Sequence, residues 1–160
     1  MPSLLQVLAN VAGSNPEHII VVEEAAGVEV VLSLLSSEFS KQAGGDGYFT
    51  SFAVEALGFL TAMVDCAEML TLLHDAPHEG GTLGIVACVF DDHAPRAESE
   101  ALSRAILAFY ERCIFFDLPP ERLSATGAVT HTITAMQTHP GSHSLQRLAT
   151  DVLNCACWSV

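Results

Sequence analysis

The chain has 160 residues, half of them apolar and few aromatic, which suffices for one sizeable core and excludes a disordered segment. Nineteen acids against six lysines and arginines leave a formal charge of −13, and no basic run offsets it, which argues against nucleic acid as a direct partner. The acidity is uneven: up to Pro95 there are 13 acids and one base, Lys41, for a net −12, while the remainder holds 6 acids and 5 arginines, for a net −1. A basic partner would be drawn to the N-terminal part, unless the charge serves only as a solvated surface that keeps the chain soluble. No apolar stretch reaches the roughly 18 residues needed to span a bilayer, and Met1-Pro2-Ser3 lacks a basic leader region. With five cysteines in apolar contexts and no C-x-x-C pair, the expectation is a soluble cytoplasmic protein, nuclear location being open, with reduced thiols and no cofactor.

In chain order, Val7, Leu8 and Val11 mark a first helix within 1–13, followed by a short one near Pro16. From Gly27 a further helix carries Val28, Val31, Leu32, Leu34 and Leu35, and past the loop Ser40 to Asp46 a long helix carries Ala56, Leu57 and Leu60. A short helix near Ala67 and the loop Ala76 to Gly81 lead to a helix anchored at Thr82, with Leu83, Val86, Ala87, Val89 and Phe90. The stretch Asp91 to Pro95 reads as a turn, with Asp91-Asp92-His93 ahead of the next helix as a turn or N-cap region. That next helix carries Ile106, Leu107 and Tyr110. A short helix starts at Pro120, where a missing N–H costs nothing, and another is anchored at Ala128, with Val129, Thr132, Ile133, Ala135 and Met136. After the loop Thr138 to Ser142 a last helix carries Val152, Leu153 and Ala156. About ten helices and no strand are expected.

The helices holding Leu8, Leu57, Leu107 and Leu153 recur every 46 to 50 residues, and their apolar columns superimpose. The helices anchored at Gly27, Thr82 and Ala128 repeat a second apolar spacing. Between those two kinds of helix lies a short one in each case, near Pro16, Ala67 and Pro120. Val7-Leu8-Ala9-Asn10-Val11-Ala12 followed by Glu24-Ala25-Ala26-Gly27-Val28, and Ala135-Met136-Gln137-Thr138-His139-Pro140 followed by Leu145-Gln146-Arg147, resemble the armadillo-repeat family. HEAT-type and other α-solenoids share the same periodicity. The resemblance implies an all-α, right-handed solenoid of three-helix repeats over 1–160, with a partial unit at 1–13 and successive units at 14–66, 67–113 and 114–160. The first helix then corresponds to the third helix of a unit lacking its first two, with an apolar flank, and the last helix closes near Trp158. A fragment of a longer protein, or a subunit whose ends are covered by partners or by self-association, is the expectation.

In the family's nuclear-import adaptors the third helices present a Trp and, four residues later, an Asn toward a concave groove. Here the Trp column reads Gln6, Glu55, Ala105 and Asp151, and the Asn column Asn10, Phe59, Phe109 and Cys155. One Asn and no Trp do not make an import receptor, but these eight positions are the candidate protein-binding residues. Phe59 and Phe109 either anchor a partner's apolar side chain or turn inward as core.

Catalytic and metal motifs do not assemble. The Ala43 to Gly47 loop is glycine-rich but lacks the lysine of a phosphate-binding loop. His74 and His78 flank Pro77, His139 and His143 flank Pro140-Gly141, and Cys155 and Cys157 would point about 200° apart on a helix. The expectation is a non-catalytic scaffold or adaptor that binds a partner protein segment, one with basic character, on its concave third-helix surface. The alternative is a structural or regulatory repeat segment of a larger multidomain enzyme or assembly.

Overall fold

A computed structural model describes residues 27–41, 47–64, 81–116 and 118–157. All elements among these residues are α-helices: α1 (Gly27–Lys41), α2 (Gly47–Met63), α3 (Gly81–His93), α4 (Glu100–Phe115), α5 (Pro120–Ala125), α6 (Ala128–Thr138) and α7 (His143–Cys157). None is long and apolar enough to cross a membrane. The helices expected within 1–13, near Pro16 and near Ala67 lie outside the described residues.

Local chemistry sets several of the boundaries. Pro120 opens α5, and Gly127, in the left-handed region at φ 80°, turns the chain from α5 directly into α6. Gly81 makes the same left-handed turn into α3 at φ 59°. The start of α7 is capped by Ser142, whose Oγ accepts from the Leu145 N–H at 3.4 Å.

Side-chain contacts give the relative directions of the last helices. Glu100 meets Ser142, Arg104 meets Ser144, and Glu111 feels Asp151, so positions rise together and α4 and α7 run parallel. Ser103 lies beside His139 and Tyr110 beside His131, so α6 runs antiparallel to α4. Gln146 donates to the Met136 and His139 carbonyls, tying the end of α6 to the start of α7. Packing forms two rows: α2 on α4 and α4 on α7 in one, α1 on α3 and α3 on α6 in the other, with α6 also against α4 and α7.

The core lies between the rows. From α2 it takes Ala53, Ala56, Leu57, Phe59, Leu60 and Met63, and from α4 Leu102, Ile106, Leu107, Phe109, Tyr110 and Cys113. From α7 it takes Leu145, Ala149 and Val152. Burying one such Leu or Phe side chain contributes on the order of 1.5–3 kcal/mol. The expected third-helix columns at Ala56, Leu57, Leu60 and at Ile106, Leu107, Tyr110 are fully buried, whereas Leu153 and Ala156 on α7 are half-buried.

Two local expectations are corrected. Asp91, Asp92 and His93 form the last turn of α3 and do not cap α4, whose N-cap is Ser99. The reason is packing: Val86, Val89, Phe90 and His93 are buried at helical spacing, and no glycine or proline stands between Gly84 and Pro95. The second-helix alignment is also displaced by one residue. Buried at matching offsets are Val28, Val31, Leu32 and Leu35 on α1, then Thr82, Ile85, Val86 and Val89 on α3, then Ala128, His131, Thr132 and Ala135 on α6, while Leu83 and Phe90 on α3 are buried as expected. The equivalent anchors are therefore Gly27, Gly81 and Gly127, each one residue before the first of these. Leu34 and Ile133, expected in the apolar columns, are exposed.

Candidate functional site

Helices α2, α4 and α7 each have a stripe toward solvent. On α2 it runs through Ser51, Glu55, Gly58 and Ala62, on α4 through Ala101, Arg104, Ala105, Ala108, Arg112 and Phe115, and on α7 through Ser144, Arg147, Asp151 and Cys155. These residues are exposed or half-buried and recur at three- and four-residue spacing, so each set shares a helix face. Small side chains dominate the α2 stripe, and a Cβ added at Gly58 would meet nothing within 4 Å.

The sequence-derived candidates divide between this face and the core. Glu55, Ala105 and Asp151 are half-buried and Cys155 is exposed, all within the stripes. Phe59 and Phe109 are buried, at 0% and 1% exposure, and present no anchor to a partner. Aromatic rings of that size displace far more apolar surface from water when packed between helices than when left on one face. Gln6 and Asn10 lie outside the described residues.

An aromatic anchor on the face does exist, at a position outside the two columns. Phe115, 75% exposed, lies seven residues beyond Ala108 on the same stripe of α4. Its ring packs edge-on to Phe116, with centroids 5.4 Å apart. The Arg112 guanidinium carbon stands 5.8 Å from the Phe115 centroid and 4.9 Å from that of Phe116, within cation–π reach. The period of α4 carries the signal for Phe115, but its position does not coincide with the family's groove columns.

The charge of the face is mixed and not uniformly acidic. Glu55, Glu111 and Asp151 stand against Arg104, Arg112 and Arg147. Partial burial, then the nearby Asp151 carboxylate, raise the pKa of Glu111 above the ordinary value, and Arg147 partly offsets them. The α4–α7 seam therefore holds two carboxylates and a guanidinium close enough to feel one another.

A second constellation lies inside, where α3, α4 and α6 meet. His131 places Nδ1 2.9 Å from the Tyr110 hydroxyl and Nε2 3.1 Å from Asp91 Oδ1. Its ring stacks on Phe90, centroids 4.3 Å apart and planes 19° from parallel. His131 is not among the sequence candidates, because the one-residue displacement leaves it between two apolar columns; the Gly27, Gly81, Gly127 spacing puts it in the column of Val31 and Ile85. Burial holds its pKa below the ordinary histidine value despite the opposing pull of Asp91. Burial likewise raises Tyr110 and pushes the Cys113 thiol up to about 12.

At the other end of α6, Ser103 Oγ donates to the Ala94 carbonyl at 3.2 Å and lies 3.5 Å from His139 Nε2. The serine proton is directed at a carbonyl and the side chain is fully buried, so this pair is not arranged as nucleophile and base. His139 is buried and His143 exposed, so the two do not converge. Among the described residues no group of three or more His, Cys, Asp or Glu side chains is placed to hold a metal ion. His74 and His78 lie outside the described residues, as does the side chain of Cys157.

No protein-family model, curated protein sequence or solved structure matches this chain.

Proposed function

We propose that this chain is a right-handed α-solenoid of armadillo-like repeats whose third helices, α2, α4 and α7, offer a concave, solvent-facing surface to a segment of a partner protein, as a non-catalytic scaffold or adaptor. The observation that carries the reading is the repetition of one arrangement. Long helices pack in sequence, each leaving a stripe at equivalent positions that includes Glu55, Ala105 and Asp151. A row of that kind makes an extended surface rather than a closed pocket, which suits a peptide segment. Phe115, with Arg112 beside it, gives the surface an aromatic and arginine pair of the sort that dominates binding energy at interfaces. Glu55 and Asp151 would favour basic side chains in that segment and speed its encounter with the face.

The test is affinity capture from a lysate at low and high salt, comparing the original chain with Glu55→Lys/Asp151→Lys and with Phe115→Ser. All three substitutions fall on half-buried or exposed positions, so circular dichroism should show the folds unchanged. A partner retained by the original chain, weakened by salt, and lost from both variants is the expected result. Equal retention by all three would overturn the assignment of this face.

A further inference from the structure

We infer that His131 is a proton-operated latch, holding α6 against α3 and α4 while its ring is neutral and releasing α6 when the ring takes a second proton. The inference does not depend on what binds the concave surface.

Proton bookkeeping in the cluster carries it. A neutral imidazole has one N–H and one acceptor nitrogen. Nε2 faces the Asp91 carboxylate, which can only accept, so the ring proton sits on Nε2. Nδ1 is then the acceptor, and the Tyr110 hydroxyl donates to it. Every polar atom is satisfied in that state. A second proton must go to Nδ1, which makes Tyr110 the acceptor and leaves its own proton in need of a new partner. Tyr110 is fully buried, and the neighbouring Cys113 sulfur, held as a neutral thiol, is only a weak acceptor. A buried donor without a good acceptor is what the charged ring would create.

Two contacts favour the charged ring, and neither matches that cost. Asp91 is opposite in sign, but its side chain is 69% exposed, so water and salt screen it. Phe90 offers its ring face, but a cation gains less on Phe than on Trp. The other elements against α6 add little at this end. Glu121 and Arg122 of α5 are exposed, and Arg147 and Asp151 of α7 are set against Glu111. The lowered pKa of His131, dominated by burial, agrees with the geometry.

The sign follows from linkage. A histidine whose folded pKa lies below its unfolded value binds fewer protons when α6 is docked, so docking is strongest above the ordinary value of about 6.5 and weakens as the pH falls below it. Because α6 touches α3, α4 and α7, its release would loosen the seam between its own row and the row of α4 and α7.

The experiment is an NMR titration of the imidazoles together with hydrogen exchange of α6 amides between about pH 7.5 and about pH 5, on the whole chain, on His131→Gln and on Asp91→Asn. The expected result is a His131 midpoint below the ordinary histidine value. Asp91→Asn moves the midpoint lower still. Protection of α6 amides falls in acid by up to about tenfold for each unit of depression, after correction for intrinsic exchange. In His131→Gln that acid-dependent loss is absent. A His131 midpoint at or above the ordinary histidine value, or the same acid-dependent loss in His131→Gln, would overturn the proposal; if His131→Gln does not fold, the titration of the unaltered chain decides.

Discussion

The hydroxyl of Tyr110 lies 2.9 Å from Nδ1 of His131, a hydrogen bond between two fully or nearly fully buried residues that joins the middle of α4 to the first turn of α6. Its removal leaves an imidazole nitrogen without a partner in a site closed to solvent. Tyr110→Phe should therefore destabilise the chain by about 1–3 kcal/mol, read from urea unfolding midpoints at constant m value. A loss well under that range would mean that water reaches Nδ1.

The glycines at 127 and 58 should respond in opposite directions to alanine. At Gly127 the backbone is left-handed, at φ 80°, and an added Cβ would stand 3.3 Å from His131 Nε2. The backbone alone costs about 1–2 kcal/mol, and displacing the imidazole adds to it. Gly58 is in the interior of α2 with open space around it, so Gly58→Ala should stabilise by about 0.5–1 kcal/mol. Thermal unfolding of the two variants side by side separates conformation from crowding.

Glu111 has a pKa raised above the ordinary carboxylate value, so the folded chain holds its proton more tightly than the unfolded chain does. Its contribution is therefore fully present in acid and lost as the pH rises through the folded pKa. Glu111→Gln should leave stability unchanged in acid and raise it at neutral pH, where the repulsion from Asp151 is relieved. Unfolding midpoints of both proteins across that range would show the two curves diverging upward from the carboxylate region. Parallel curves would refute the assignment.

Thiol chemistry should distinguish the described cysteines. Cys88 and Cys155 are exposed, whereas Cys113 is buried, with its pKa pushed up to about 12. Under native conditions a maleimide should label Cys88 and Cys155 before Cys113, as read by mass spectrometry of digested peptides, and denaturant should abolish the difference.

Helical periodicity makes much of this architecture legible because α2 and α4 bury their apolar columns at a spacing of three and four. Leu57 and Leu107 align by spacing alone, and both are fully buried. In-or-out decisions are harder where one helix touches neighbours on two sides. Phe59 and Phe109 lie at the edge of the column, and only the packing of α2 on α4 and of α4 on α7 turns that edge into core. The second helices slip by one residue in a reading by composition, because Thr82 and Ala128 resemble small anchors as well as the preceding glycines do. Left-handed turns at Gly81 and Gly127 set these two glycines apart from Thr82 and Ala128 as the residues at which the chain turns into α3 and α6. His131 illustrates the cost, since a buried polar residue in an apolar column is invisible until the column is placed correctly.

The parallel course of α4 and α7 has an electrostatic corollary. Parallel neighbours set like ends of their dipoles side by side, positive against positive at the N-termini, an arrangement that is unfavourable without a counter-charge. Glu100, in the first turn of α4, accepts the hydroxyl proton of Ser142, the residue that caps α7, at 2.6 Å. One carboxylate thus lies between two positive helix ends and serves both. The C-terminus of α6, bringing a negative end, arrives at the same edge through His139 beside Ser103. This edge of the molecule is a small alternating array of helix ends, and each further helix added to such a row would recreate the need for a charge at the same place.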